Sequence, residues 1–315
     1  MLTGRDGDGF VMNHYYDGTD EGAPRLNVRP LTWGADGWPL VGEPVNPSRY
    51  VGHGGAYVTI HSRDGGDAVV ENVGCGYEGA NVALWTDLGN LCQQWQVEDR
   101  GEGSRILNRF SDKVVEIAAC DNTDGGNVAL WGWVGFLKNN DCQRWDLGPG
   151  GDGWTTITSV MEGGRAWTVA GDPTAAANIA VSSPTGELAQ HFRFDPVGTV
   201  ILGSAADRTQ TLGVRGCRAD PGHGTTVRFE KGDADRCQTW RISAIGDTAR
   251  YVVVNDDSGK LLSSKCHGRS RDDLRVVEPR RADERCITWT LVPGDEGTWT
   301  LANPTTTQEV RLLVP

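Results

Sequence analysis

No run of this chain approaches the eighteen or so consecutive apolar residues that a membrane-spanning helix needs, so no membrane partner is expected. An excess of positive charge is missing too. Thirty Lys and Arg face forty-two Asp and Glu, giving a formal net charge of −12. Duplexes and anionic surfaces reward clustered Lys and Arg. The one arginine-rich stretch, Arg269 to Arg285, is interleaved with Asp272, Asp273, Glu278, Asp283 and Glu284, so nucleic acid is disfavoured. Close Cys-x-x-Cys and His-x-x-x-His pairs do not occur, which argues against a structural metal. The six histidines (His14, His53, His61, His191, His223 and His267) are scattered without ligand spacing. There is no Ser-His-Asp order and no phosphate-cradling loop, so no cofactor and no catalysis by this chain alone are expected. Helical periodicity is absent as well. The opening residues, MLTGRDGDGF, lack the basic and apolar regions of a signal peptide.

What the chain does have is even punctuation. Its 43 glycines and 14 prolines are spread along 315 residues, 38% of them apolar. That pattern predicts an all-β protein of many short strands joined by tight turns, and the length suits two domains.

The strands repeat. Three Gln-x-Trp triplets occur, Gln93-Gln94-Trp95, Gln143-Arg144-Trp145 and Gln238-Thr239-Trp240. Two looser versions are Gln190-His191-Phe192 and Ile287-Thr288-Trp289. Taken in order, their first residues step by 50, 47, 48 and 49, the signature of a repeat architecture. Upstream text repeats with them. Val70-Glu71 and Gly79-Ala80-Asn81-Val82-Ala83-Leu84-Trp85 precede the first triplet. Val115-Glu116 and Gly125-Gly126-Asn127-Val128-Ala129-Leu130-Trp131 precede the second, and Ala177-Asn178-Ile179-Ala180-Val181 is a faded third copy.

The eight cysteines follow the same grammar. Cys75 and Cys92 lie 17 apart and Cys120 and Cys142 lie 22 apart. Cys217 and Cys237 are separated by 20, as are Cys266 and Cys286. Of the 105 possible pairings, pairing within each repeat is the most economical. Each such disulfide closes a loop worth about 3 kcal/mol in the chain-entropy model. Disulfides imply an oxidising compartment, so a secreted, extracellular protein is expected.

The repeat resembles the ricin B-chain-like β-trefoil of carbohydrate-binding module family 13, in which three such units form one domain. The resemblance implies a first trefoil over 46–196 and a second over 197–315. A sixth triplet would fall near position 335, beyond Pro315. The second trefoil is therefore expected to be degenerate or truncated, with Trp299–Asn303 and Val310–Val314 as its last strand candidates. An open trefoil would leave unpaired strand edges, unless a strand is borrowed from elsewhere.

Residues 1–45 lack the repeat. Strands are expected over 9–17, 24–33 and 36–39. His14-Tyr15-Tyr16-Asp17, the Pro-x-Leu strand that begins Pro24-Arg25-Leu26, and Gly37-Trp38-Pro39 are similar to the last propeller blade of glycoside hydrolase family 43 arabinanases. That resemblance implies a blade-like remnant, with signal peptide and catalytic blades upstream of Met1. Family 43 enzymes use paired carboxylates, and by resemblance those come from earlier blades. His14 is expected to be structural, and Asp17 and Asp20 turn residues.

Ricin-like sites place an acid after the first strand, an aromatic at the end of the Val-x-Leu-Trp strand, and amides near the triplet. Carboxylates and amides bond hydroxyls while aromatic rings face the apolar side of a sugar. By motif, unit one offers Glu71, Trp85 and Gln93, and unit two Glu116, Trp131 and Gln143, with Trp133 nearby. The triplet glutamines could equally bond backbone, and the tryptophans could be packing residues. Trp95, Trp145, Trp240 and Trp289 are expected in the core. The acid position is Thr168, Gly213 and Ser263 in units three to five. The aromatic position reads as Glu230 and Glu278 in units four and five, so no inherited site is expected there. Three functions remain: a monomeric module carrying a glycosidase to arabinose-, xylose- or galactose-containing polysaccharide, a fragment of an arabinan- or arabinoxylan-cleaving hydrolase, or a spacer that has lost its sites.

Overall fold

Alternating apolar and polar residues between glycine-rich turns give strands throughout. The structure, a computed structural model, describes residues 2–3, 9–17, 23–34, 37–42, 57–99, 102–134, 141–173, 176–204, 207, 209–215, 222–231, 236–264, 274–293, 299–305 and 309–313. Four strands come first, β1 (Leu2–Thr3), β2 (Gly9–Asp17), β3 (Ala23–Trp33) and β4 (Pro39–Val41). They pair in chain order as an antiparallel meander.

Twelve strands follow in one sheet. The first repeat gives β5 (Tyr57–Ser62), β6 (Ala68–Asn72), β7 (Val82–Thr86) and β8 (Trp95–Asp99). The second gives β9 (Ser104–Asn108), β10 (Val114–Ile117), β11 (Gly126–Trp131) and β12 (Trp145–Gly151). The third gives β13 (Trp154–Ser159), β14 (Ala166–Ala170), β15 (Asn178–Ser182) and β16 (Phe192–Pro196). β16 pairs with β5 over five residues, from Phe192↔Ser62 to Pro196↔Val58, so the ladder returns to its beginning.

Equivalent residues meet where the repeats converge. Asn81, Asn127 and Asn178 form a closed ring of side-chain bonds: Asn127 donates to Asn81 at 3.0 Å, Asn81 to Asn178 at 2.8 Å, and Asn178 to Asn127 at 2.9 Å. The signature tryptophans lie beneath. Trp95 and Trp145 are fully buried, and their indole N–H groups donate to the carbonyls of Val70 and Val115 at 3.0 and 3.1 Å. Trp240 and Trp289 repeat the bond to Leu212 and Leu262 at 2.9 and 3.2 Å. Each ring thus fills the core while its polar edge is satisfied, as a buried indole requires.

The last sheet has ten strands. They are β17 (Val200–Gly203), β18 (Gln210–Val214), β19 (Thr225–Lys231), β20 (Thr239–Ala244), β21 (Tyr251–Asn255), β22 (Leu261–Ser263), β23 (Arg275–Val277), β24 (Thr290–Pro293), β25 (Trp299–Ala302) and β26 (Glu309–Leu313). The edge expected to stay open is paired. β26 runs antiparallel to β17, with Ile201↔Leu313, Leu202↔Leu312 and Gly203↔Arg311. The closing strand is not borrowed: it is one of the second trefoil's own last strand candidates, 309–313, and it takes the place against β17 that β16 takes against β5. Trp299, Leu301 and Val310 seal the core there.

β16 also joins the two sheets. Phe192 meets Trp167 edge-on in the first core, with centroids 5.8 Å apart, while Phe194 lies 5.1 Å from Trp299 in the second. Tyr251 donates its hydroxyl to the Phe194 carbonyl at 3.0 Å. Arg193 donates to the carbonyls of Gly246 and Thr248. One contiguous apolar core runs through both sheets.

Candidate functional site

The β6/β7 hairpin sets the first candidate site. Glu71 pairs with Ala83 across the hairpin and Val69 with Trp85. Side chains two residues apart on a strand share a face, so acid and aromatic stand diagonally on one surface with a small alanine between them. The second hairpin repeats this register, Glu116↔Ala129 and Val114↔Trp131.

A disulfide ties the acid's strand to the glutamine's turn. After β6 the chain turns through Gly74 (φ 65°) and Cys75 (φ 52°). Cys75 is bonded to Cys92, with Cα atoms 5.2 Å apart, within the usual span. Cys92 belongs to the 3-10 turn Leu91–Gln93, capped by Asn90, whose side-chain oxygen accepts from the Cys92 N–H. Gln93 is thereby held beneath Glu71. In unit two Ala119 and Cys120 take the same left-handed conformations, and Cys120–Cys142 spans 5.2 Å. Cys237 and Cys286 are disulfide-bonded as well, while Cys217 and Cys266 lie outside the described residues.

The glutamines are fully buried and saturated within the protein. Gln93 Nε2 donates to Glu71 Oε2 at 2.8 Å and to the Thr86 carbonyl at 2.7 Å, while its oxygen accepts from the Leu88 N–H at 2.7 Å. Gln143 does the same with Glu116, Gly132 and Val134, at 2.9, 2.9 and 3.0 Å. Gln93 and Gln143 therefore stand behind the carboxylates and orient them, instead of facing a ligand. Burial pushes the pKa of Glu71 and Glu116 up, and the glutamine bonds pull against that rise. For Glu71 the Gly74 N–H adds a second opposing bond.

A cavity of about 400 Å³ opens beside Glu71, a size typical of small-ligand sites. Glu71, Trp85, Leu88 and Asn90 line it together with Gly34 and Leu40 of the N-terminal segment. Asn90 escapes a reading by motif. Its only signal is recurrence as Asn140, two residues before Cys142. In unit two Trp131 is 43% exposed. Trp133 is stacked by the Arg105 guanidinium, 4.4 Å from the ring centroid, and Arg105 is ion-paired to buried Glu98.

The other units replace the pair. In unit three Gln190 bonds Thr168 and Ser182 at 3.0 and 3.1 Å, so two hydroxyls fill the positions of acid and aromatic. In unit four a Cβ on Gly213 would lie 2.9 Å from Gln238 Cγ, and the glutamine stem occupies the acid's space. In unit five the pairing Leu262↔Val276 puts Val277, not Glu278, at the aromatic position. Glu278 lies one residue beyond the aromatic position expected for it, because Leu261 pairs with Val277. It faces Lys260 instead, at 3.9 Å. Among the described residues no group of His, Cys, Asp or Glu could hold a metal ion, and no helix is long and apolar enough to cross a membrane. His14 is exposed on β2, and Asp20 lies outside the described residues.

A family model for the ricin-type β-trefoil lectin domain-like family matches residues 48–131, 141–230 and 236–313. The chain belongs to that family. Its repeats form ricin-type, lectin-like carbohydrate-binding domains. Similar solved structures include ThreeFoil, a designed 3-fold symmetric protein, at 27% identity over 44% of this chain and 96% of that one, with a TM-score of 0.41. An exo-β-1,3-galactanase from Clostridium thermocellum is 20% identical over 62% of this chain and 44% of its own, with a TM-score of 0.41. A non-toxic homologue of type II RIPs from Momordica charantia is 17% identical over 83% and 93%, with a TM-score of 0.37. No curated protein matches the chain.

Proposed function

We propose that this chain is a secreted, non-catalytic module that binds polysaccharide through its first two repeats and carries a glycosidase to it. One observation carries the reading: a carboxylate and a tryptophan share a hairpin face in both units, with a buried glutamine holding each carboxylate by its Oε2. A tryptophan face suits the apolar side of a sugar ring, and an oriented carboxylate accepts from its hydroxyls. Two weak sites on one rigid scaffold gain by avidity on a polymer. The disulfides Cys75–Cys92 and Cys120–Cys142 support an oxidising, extracellular setting.

Retention on insoluble arabinan, xylan and galactan tests the reading. Wild type is expected to bind at least one, and Trp85→Ala with Trp131→Ala to lose it. No retention on any of them, beside a positive control, sinks the claim. Retention unchanged in the double variant points to a spacer with lost sites.

A second reading, the C-terminal part of a family 43 arabinan- or arabinoxylan-cleaving hydrolase, is favoured by the four-stranded antiparallel meander at the N-terminus. Four-stranded sheets are the blades of propellers. An in-frame propeller in the genomic DNA upstream of Met1 supports it, and a promoter there removes it.

A further inference from the structure

The seam between the N-terminal sheet and the first repeat is specifically built. Tyr77 donates its hydroxyl to the Val41 carbonyl at 2.9 Å. The Leu91 N–H donates to Thr32 Oγ1 at 3.4 Å. Leu40 packs on Cys75, Leu91, Cys92 and Phe110, so the wall rests on the disulfide that positions Glu71 and Gln93. Gly42 approaches so closely that a Cβ there would lie 2.7 Å from the Phe110 carbonyl oxygen and 2.8 Å from the Pro30 ring.

That seam brings Leu40 and Gly34 into the lining of the cavity that Glu71 and Trp85 also line. The cavity also holds a donor. Asn90 uses its side-chain oxygen on the Cys92 N–H, and among the described residues its amide nitrogen makes no hydrogen bond. An acceptor, a donor and an apolar lining suit one sugar ring. We infer that the N-terminal sheet completes the unit-one site and limits it to the end residue of a glycan chain. A ring stacked on Trp85 shares the cavity with Leu40, so a chain extended past the N-terminal wall would collide with it. This rests on the reading of Glu71 and Trp85 as sugar-contacting groups.

The test uses the full chain with Trp131→Ala silencing unit two. Calorimetric titration compares linear arabinan, β-1,4-galactan and xylan with their trisaccharides. The expected stoichiometry counts chain ends, with each trisaccharide binding as tightly as a polymer end. Leu40→Ala is expected to raise the number of binding positions on the polymer, and the apparent affinity per polymer chain about tenfold with it. Trisaccharide affinity is expected to fall instead, by about tenfold at most, because the shortened wall loses its contact with the bound ring. Gly42→Ala, which moves the wall without touching the cavity lining, is expected to act in the same direction.

Binding that scales with polymer mass in the Trp131→Ala protein, unaltered by Leu40→Ala and Gly42→Ala, overturns the wall and leaves the site reading intact. Binding unchanged by Glu71→Gln and Trp85→Ala in that background, or absent from it altogether, overturns the site reading and the wall with it. Thermal unfolding of each variant separates loss of a contact from loss of the fold.

Discussion

The side-chain amide of Asn81 donates to the side-chain oxygen of Asn178 at 2.8 Å, a bond between residues 97 apart that closes the ring through Asn127. Each amide in the ring gives one bond and takes one. Removing one member leaves a donor and an acceptor unmet in a half-buried place. Asn81→Ala is expected to cost about 1–3 kcal/mol. Replacing all three by Ala is expected to cost less than the sum of the single changes, because later substitutions break bonds already lost. Denaturant unfolding followed by tryptophan fluorescence measures both.

Gln93 acts through Glu71. Gln93→Ala removes a bond that lowers the Glu71 pKa, so that pKa rises further. Sugar binding to the ionised carboxylate is then expected to weaken, and its loss on acidification to begin at higher pH than in wild type. Affinity titrations from pH 4 to 8 read the midpoint. An unchanged midpoint with reduced stability would leave Gln93 a purely structural residue.

The raised pKa of Glu71 and Glu116 also bears on folding. A carboxyl with a folded pKa above its unfolded value contributes stability below the unfolded pKa, and that contribution is lost as pH rises through the folded one. Glu71→Gln and Glu116→Gln are therefore expected to gain stability relative to wild type between pH 4 and pH 7. Melting temperatures of the three proteins across that range give the sign. A relative gain on acidification would contradict burial as the dominant cause.

Gly74 and Ala119 occupy equivalent left-handed positions, at φ 65° and 53°. A Cβ on Gly74 would meet nothing within 4 Å, so strain alone decides. Gly74→Ala is expected to cost about 1–2 kcal/mol, and Ala119→Gly to be neutral or mildly stabilising. Urea midpoints of both variants check the pair.

Much of this fold is legible in the sequence because a repeat displays the same constraint several times. Trp95, Trp145, Trp240 and Trp289 recur on one period, with Phe192 standing in the third repeat, and each tryptophan is buried with its N–H on the equivalent carbonyl. The pairs Glu71–Trp85 and Glu116–Trp131 are equally visible, since a hairpin fixes their shared face. Contacts that cross between elements are hidden. Asn81, Asn127 and Asn178 stand in the sequence only as members of the repeated upstream text, and convergence of three repeats makes them a ring. Leu40 carries no motif, because the wall comes from a segment outside the repeat. Glu278 was displaced by one residue because counting along a variable loop cannot replace the pairing of Leu262 with Val276. The closure of the second sheet was equally obscure, since β26 has no triplet to mark it.

β16 has a mechanical consequence. Phe192 and Phe194, two residues apart, anchor separate cores, and Arg193 between them is tied to Gly246 and Thr248. The chain crosses from one half to the other without a hinge. A glycan gripped at the first two repeats would therefore fix the attitude of the far half, as a handle fixes the attitude of a blade.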